Sequence, residues 1–311
     1  MWSQEKPLAQ QFLCLKYMEQ YETTVSSRSH FYKVRDINYH FNVWGNEKAP
    51  LIFFLHGWAD TGSTFQFVVD SFKNEWRIVA PDFRGFGKSD PNKSCYWFPD
   101  YLADIDEIKK IFSPDKPLIL IGHSMGGNVA SMYAGIFPEN VSHLVNVEGF
   151  GLKESDPNNA PSRYQQWISK QNDVQAFREY DSLHDLALRI KKKNQNISIE
   201  RAIYVASQWA ERLDTGKIKL RADPKHKLPN ATQYRRSEAE ACWRLISAKT
   251  LCVFGKNSSF FKEGISIREN NIQKSWLNDS KTVEIPDAGH MIHLENPEFL
   301  ANEIEDFIMN E

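Results

Sequence analysis

Short apolar runs recur along the chain, and most end on a glycine or an aspartate. "LIFFLHG" (51–57), "RIVAPD" (77–82) and "LILIG" (118–122) share this design. "VSHLVNVEG" (141–149) and "TLCVFGK" (250–256) follow it again. Apolar runs this short, without polar alternation, suit strands buried on both faces. Residues 30–44, "HFYKVRDINYHFNVW", hold two β-rich pieces around Asp36-Ile37-Asn38, which predicts a hairpin. Between the runs, "PDYLADIDEIKKIF" (99–112) spaces its apolar residues for a helix and carries proline in the first turn. "KTVEIPDAGH" (281–290) and a closing helix, "PEFLANEIEDFIMNE", complete the series. Strands alternating with helices predict an α/β fold with a mainly parallel sheet covered on both faces.

Residues 152–249 break that rhythm. They are polar, contain Pro157, Pro161, Pro224 and Pro229, and hold no short apolar strand run. "RYQQWISKQNDVQAFREY" and "IERAIYVASQWAERL" predict helices. The expected organisation is a core in two parts, 1–151 and 250–311, interrupted by a helical insertion at 152–249 that serves as a lid. No repeat or low-complexity tract is present.

Composition narrows the classes. With 311 residues, 41% hydrophobic and 25% charged, the chain reads as an ordinary globular protein. A formal net charge of −2 gives no basic excess for nucleic acid. The densest basic run, Arg189-Ile190-Lys191-Lys192-Lys193, reads as a solvated helix face. Cys14, Cys95, Cys242 and Cys252 are far apart, without metal-like spacing, so a reducing compartment is expected. The N-terminus does not read as a signal peptide, and no apolar run reaches the ~18 residues of a membrane helix. A soluble, cytoplasmic protein without metal or organic cofactor is expected; the oligomeric state is not readable.

Within "LILIGHSMGGNVASMYAG" (118–135) a strand hands over to a helix at Gly122-His123-Ser124-Met125-Gly126. A serine in a G-x-S-x-G turn between strand and helix has the setting of an activated nucleophile, with small neighbours where side chains would clash. The helix after it points backbone N–H groups at developing negative charge. A serine nucleophile needs a base. His290, in "DAGHMIHLENP", lies between the last predicted strand and the last helix, where it can reach the carboxyl edge of the sheet. His293 is its local competitor, and His123 is expected to be directed away from the serine by the turn.

These residues resemble the α/β hydrolases over nearly the whole chain. The resemblance rests on His56-Gly57-Trp58, on the run from Asp82 to Asp90, on Gly122 to Gly126, and on Gly289-His290. It is most similar to a serine-hydrolase-like branch near epoxide hydrolases and haloalkane dehalogenases. Those two use an aspartate nucleophile, and Ser124 argues against their chemistry here. The resemblance implies that Trp58 and Met125 supply backbone N–H groups to an oxyanion hole, and that the Trp58 indole walls the acyl pocket. A purely structural His-Gly turn with a core tryptophan is the alternative. The Asp82–Asp90 glycines and Arg84 are expected to fix a loop. Aromatic residues of the insertion, Trp209 and Trp243 foremost, are candidate pocket residues beside Tyr164, Trp167 and Tyr204, although lid-to-core packing accounts for most of them.

The third triad member departs from the common pattern. After "TLCVFG" the chain reads Lys256-Asn257-Ser258-Ser259-Phe260, with no carboxylate until Glu263. Glu148, ending the strand "HLVNVEG", is the favoured acid, because an unpaired carboxylate there would be costly to bury. Some relatives, certain haloalkane dehalogenases among them, place the acid after this strand. Glu263 and an acid-free dyad are the alternatives. The expectation is a serine hydrolase of a small ester or related acyl substrate, with Ser124, Glu148 and His290 in that chain order. Hydrolysis of a C–C bond in a diketone-like substrate is a second reading of the same residues. A ligand-binding module on a hydrolase scaffold is a third.

Overall fold

The computed structural model describes residues 21–259 and 280–310; Cys14, Glu263 and most of the N-terminal extension lie outside them. Eight strands form the main sheet: β1 Arg28–Val34, β2 Ile37–Trp44, β3 Leu51–Leu55, β4 Arg77–Pro81, β5 Leu118–His123, β6 Val141–Val147, β9 Lys249–Gly255 and β10 Lys281–Ile285. Their order is β1-β2-β4-β3-β5-β6-β9-β10. β1 pairs antiparallel with β2, and β2 with β4; from β4 onward every neighbouring pair is parallel. The chain turns between β1 and β2 at Arg35-Asp36, with Val34 opposite Ile37.

The apolar runs form strands because both faces of the sheet are covered. Within β3, Phe53 and Leu55 join one core layer with Phe41, Leu120 and Tyr133. Ile52 and Phe54 point the other way, into a layer with Trp44, Ile121 and Val145. The period-2 alternation of a strand sends successive side chains to opposite faces, so a run with no polar position is required here. Each fully buried Phe or Leu contributes about 1.5–3 kcal/mol relative to exposure.

The loop from Asp82 to Asp90 is fixed by charge pairing. Arg84 meets Asp104 of the helix Phe98–Phe112 through two bonds of 2.6 Å, from Nε and from one terminal nitrogen. Asp82 takes the Gly62 N–H at 2.8 Å on one oxygen, and the Lys88 N–H at 2.9 Å and His40 Nδ1 at 2.7 Å on the other. This agrees with a structural role for the run.

The segment 152–249 contains the helices Ala160–Lys170, Leu183–Lys193, Ile199–Trp209 and Arg236–Trp243. Ser182 and Ser198 cap the second and third, each accepting a backbone N–H three residues on. A short antiparallel hairpin, β7 Ala210–Arg212 with β8 Ile218–Leu220, was not legible as apolar runs because three-residue strands carry too little pattern. The segment has its own apolar cluster, which includes Leu186, Ile190, Val205 and Ala206 together with Phe67 and Leu294 of the core. Its last helix differs from the rest. Arg236–Trp243 packs on the helix Met125–Ile136, so closely that a Cβ on Gly135 would stand 1.9 Å from the Cys242 carbonyl oxygen.

His226, in the same segment, stacks on Phe86 at 3.8 Å and on Tyr96 at 3.5 Å, and its Nε2–H donates to the Arg84 carbonyl at 3.2 Å. Burial pushes its pKa down to about 4. An unfolded histidine titrates near 6.5, so below that pH the unfolded chain holds a proton the folded chain refuses, and stability falls as pH drops from about 6.5 towards 4. His226→Phe keeps an aromatic ring in the stack and removes the titration. Its unfolding free energy, followed by urea denaturation between pH 7 and 4.5, is expected to decline less steeply than wild type, by up to about 1.4 kcal/mol per pH unit. Identical slopes would overturn this account of the stack.

Candidate active site

Strand order decides which residues can meet. β5, β6 and β9 are adjacent, so the loops leaving their carboxyl ends lie side by side. Ser124 follows β5, Glu148 follows β6, and Ser258 lies just beyond β9. Ser124 has φ 52° and ψ −115°, a conformation costly for a residue with a Cβ. Its flanks must be glycine. A Cβ on Gly122 would stand 2.3 Å from the Gly126 oxygen, and one on Gly126 would stand 2.1 Å from the Leu55 oxygen. The turn is pinned by the Ser124 N–H to the Val147 carbonyl at 2.8 Å, and the helix Met125–Ile136 starts immediately after it. Ala59, Glu148 and Asp287 also have positive φ, so most of the non-glycine residues in this conformation among the described residues lie in the loops around Ser124.

The hydroxyl of Ser124 is 3.0 Å from Nε2 of His290, and Nδ1 of His290 is 3.2 Å from Oε2 of Glu148. The carboxylate can only accept, so Nδ1 carries the proton and Nε2 is left basic towards the serine. Glu148 is 3% exposed. Its other contacts are the Gly255 N–H at 2.8 Å on Oε1 and the Ser258 hydroxyl at 2.6 Å on Oε2. The loop after β9 therefore carries donors where an aspartate was sought, and they serve a carboxylate from the neighbouring strand. Ser258 was missed as a site residue, because one serine in a polar loop leaves no pattern.

The other histidines near Ser124 have hydrogen-bond partners of their own. His293 is fully buried, with Nε2 at 3.2 Å from Asp60 Oδ2. Asp60 Oδ1 accepts from Thr61 N at 2.8 Å, Thr64 Oγ1 at 2.9 Å and Trp209 Nε1 at 2.7 Å. Burial alone would raise the Asp60 pKa; the hydrogen bond and electrostatic attraction of His293 overcome it and hold the carboxyl below its ordinary range. His123 turns away from the serine, and its Nε2–H donates to the His290 carbonyl at 2.8 Å. Burial, with His293 and His290 close by, keeps it neutral well below the usual histidine range. Asp60, His123 and His293 are the described residues whose metal-type donor atoms come together, within 4.8 Å; His293 and Asp60 bond to each other there, while Nδ1 of His123 and Nδ1 of His293 are buried without a hydrogen-bond partner among the described residues. His56 accepts the Phe83 N–H on Nε2 at 2.8 Å and donates from Nδ1 to the Gly57 carbonyl at 2.7 Å, which ties the ends of β3 and β4 together.

Gly57, directly before Trp58, lies beside Ser124: a Cβ on it would be 3.3 Å from that of Ser124. A cavity of about 640 Å³ opens next to His290, with Trp58, Phe177, Trp209 and Met291 in its wall. A larger one, about 990 Å³, shares Trp58 with it and takes in Trp167 and Tyr96, but reaches neither Ser124 nor His290. The smaller cavity reaches His290 but not Ser124 in its lining. Trp243 does not belong to either. It is 1% exposed, under the Arg236 guanidinium at 4.8 Å and against Gly151, because its helix packs on the core. Tyr204 packs on Phe67, with ring centres 5.3 Å apart, and Tyr164 faces solvent.

Residues 50–297 match the family model described as alpha/beta hydrolase fold. The chain belongs to the α/β-hydrolase family. This hydrolase is 30% identical over 277 residues to a serine hydrolase-like protein of Danio rerio, covering 86% of this chain and 83% of that protein. It is 26% identical over 282 residues to serine hydrolase-like protein 2 of Homo sapiens, covering 86% and 89%. Among solved structures, a thioesterase domain from the curacin biosynthetic pathway superposes with a TM-score of 0.80 at 22% identity, over 90% of this chain and 99% of that domain. No helix among the described residues of this α/β hydrolase is long and apolar enough to cross a membrane.

Ser258→Ala removes a donor from a buried carboxylate. A hydrogen bond to a charged group contributes about 1.5–3 kcal/mol, so Ser124 labelling by a fluorophosphonate is expected to slow by about tenfold or more. The second-order labelling rate measures this, and an unchanged rate would show that Ser258 does not help to hold Glu148.

Proposed function

We propose that this hydrolase cleaves a small ester or related acyl substrate through a covalent acyl-enzyme on Ser124. The hydrogen-bonded series Ser124–His290–Glu148 carries the reading. Ser124 Oγ attacks the substrate carbonyl carbon while His290 Nε2 takes its proton. Glu148 keeps the His290 ring in the tautomer with Nδ1–H and supports the imidazolium as it forms. The tetrahedral oxyanion receives the backbone N–H groups of Trp58 and Met125. Trp58 follows Gly57, which lies against Ser124, and Met125 opens a helix whose first N–H groups have no partner within it. His290 then passes the proton to the leaving group. Water, deprotonated by the same imidazole, attacks the acyl carbon and returns Ser124 to its resting state.

Of the insertion 152–249, the part before the core-packed helix Arg236–Trp243 acts as a cap in this reading. The Trp209 indole bonded to Asp60 and the wall contributed by Phe177 support it, since both bring the insertion to the mouth beside His290.

Fluorophosphonate is expected to label wild type with one equivalent, at Ser124. In Ser124→Ala the label and p-nitrophenyl ester turnover should fall by more than a hundredfold, given triad losses of about four or more decades. Labelling that persists in Ser124→Ala would sink the nucleophile assignment.

Glu148→Gln keeps the shape and removes the charge behind imidazolium. The acylation rate is expected to drop by about two to four decades with the fold intact by circular dichroism. Near-full activity in a folded Glu148→Gln would transfer the acid's role elsewhere.

A further inference from the structure

Four cations from three separate segments converge on the cavity beside His290. Arg178 comes from the loop between the helices Ala160–Lys170 and Leu183–Lys193, Arg189 and Lys193 from the helix Leu183–Lys193, and Lys227 from the segment after β8. No aspartate or glutamate among the described residues lines this cavity. None of the four is in an ion pair with a described carboxylate. Arg178 lies over the Tyr180 ring at 5.5 Å; Lys227 lies over Phe177 at 4.1 Å and donates to the Ala176 carbonyl at 2.8 Å.

Lysines in the last turn of a helix complement its dipole, and this alone would account for the run Arg189 to Lys193. It does not account for Arg178 and Lys227, which reach the same opening from elsewhere. Nor does it account for the spacing. Leu186, Arg189, Ile190 and Lys193 fall at i, i+3, i+4 and i+7, one face of the helix, and all four line the cavity. That face is apolar at Leu186 and Ile190, which are buried, and cationic at Arg189 and Lys193, which are exposed. The basic run expected to be merely solvated thus contributes two of its members to the wall of the chamber. Like charges gathered without counter-ions repel one another, and a bound anion relieves that repulsion.

We infer that the substrate is an anionic acyl compound, whose carboxylate or phosphate is held by Arg178, Arg189, Lys193 and Lys227 while its apolar part lies against Trp58 and Trp209. This rests on the cavity being the substrate chamber of the proposed hydrolase, so the test includes a readout that needs no turnover. In Ser124→Ala, tryptophan fluorescence is followed during titration with two matched pairs: suberamate against octanamide for a carboxylate, and 4′-phosphopantetheine against pantetheine for a phosphate. The anionic member of at least one pair is expected to bind about tenfold or more tighter, and the responding pair identifies the anion. That advantage should shrink severalfold in 0.5 M NaCl. It should also largely vanish in Arg189→Gln/Lys193→Gln, and weaken in Arg178→Gln as an independent variant, with both folded by circular dichroism.

With active protein, kcat/KM for mono-p-nitrophenyl suberate against p-nitrophenyl octanoate, and for octanoyl-coenzyme A against its N-acetylcysteamine thioester, should show the same preference. Equal binding within both pairs, or a preference that survives the double variant, would overturn the inference. Loss of Ser124 labelling in wild type would instead strike the proposed chemistry and leave the binding result to stand or fall by itself.

Discussion

A buried carboxylate organises this molecule. Glu148 sits at 3% exposure at the end of β6, where an ionised group without partners would be expensive to hold. Its three contacts come from the end of β9 and from the loops that leave β9 and β10: the Gly255 N–H, the Ser258 hydroxyl and the His290 ring. Satisfying one charge therefore fixes the mutual position of three strand ends. Through His290 it also fixes the distance to Ser124, which the Val147 carbonyl already ties to the end of β6. The strained backbone at Ser124 is tolerable because its surroundings leave it no other arrangement.

A second polar network lies beneath the first. Asp60 gathers Thr61, Thr64, His293 and Trp209, while His123 bonds to the backbone carbonyl of His290. Trp209 belongs to the insertion and Asp60 to the loop after β3, so a single indole N–H links the wall of the cavity to the core. The insertion is held again from the other side, where His226 lies between Phe86 and Tyr96 and β-type bonding joins Phe86 to Ala222. These two attachments use residues of the loops after β3 and β4, at the same carboxyl edge of the sheet that carries Ser124, Glu148 and His290 on the loops after β5, β6 and β10.

The charges around the cavity follow a different logic from those inside. Arg84 and Asp104 are buried, bidentate and matched, and they hold a loop in place. Arg178, Arg189, Lys193 and Lys227 are exposed and lack described carboxylate partners. Solvent screening makes that tolerable for the fold. It also leaves the field available to a ligand.

The division between sequence and structure follows from the range of the forces involved. Strands β3, β4, β5, β6 and β9 were legible because burial on both faces demands uninterrupted apolar runs, a local constraint written in consecutive residues. The elbow was legible for a similar reason: Gly122 and Gly126 are needed by contacts within a few residues of Ser124 or with the adjacent strand. Glu148 could be singled out because a carboxylate ending an apolar strand is a local contradiction. What the sequence could not carry was set by neighbours distant along the chain. Ser258 gains its role only because β9 lies beside β6, 110 residues earlier. Asp60 and His293 meet across 233 residues, and nothing near either one announces the other. Trp243 looked like a pocket residue until the packing of its helix on Gly135 buried it. The basic helix face and Lys227 share a cavity only after the insertion folds over. Local sterics and burial are encoded residue by residue; the pairing of one loop with another is decided only when the sheet brings their ends together.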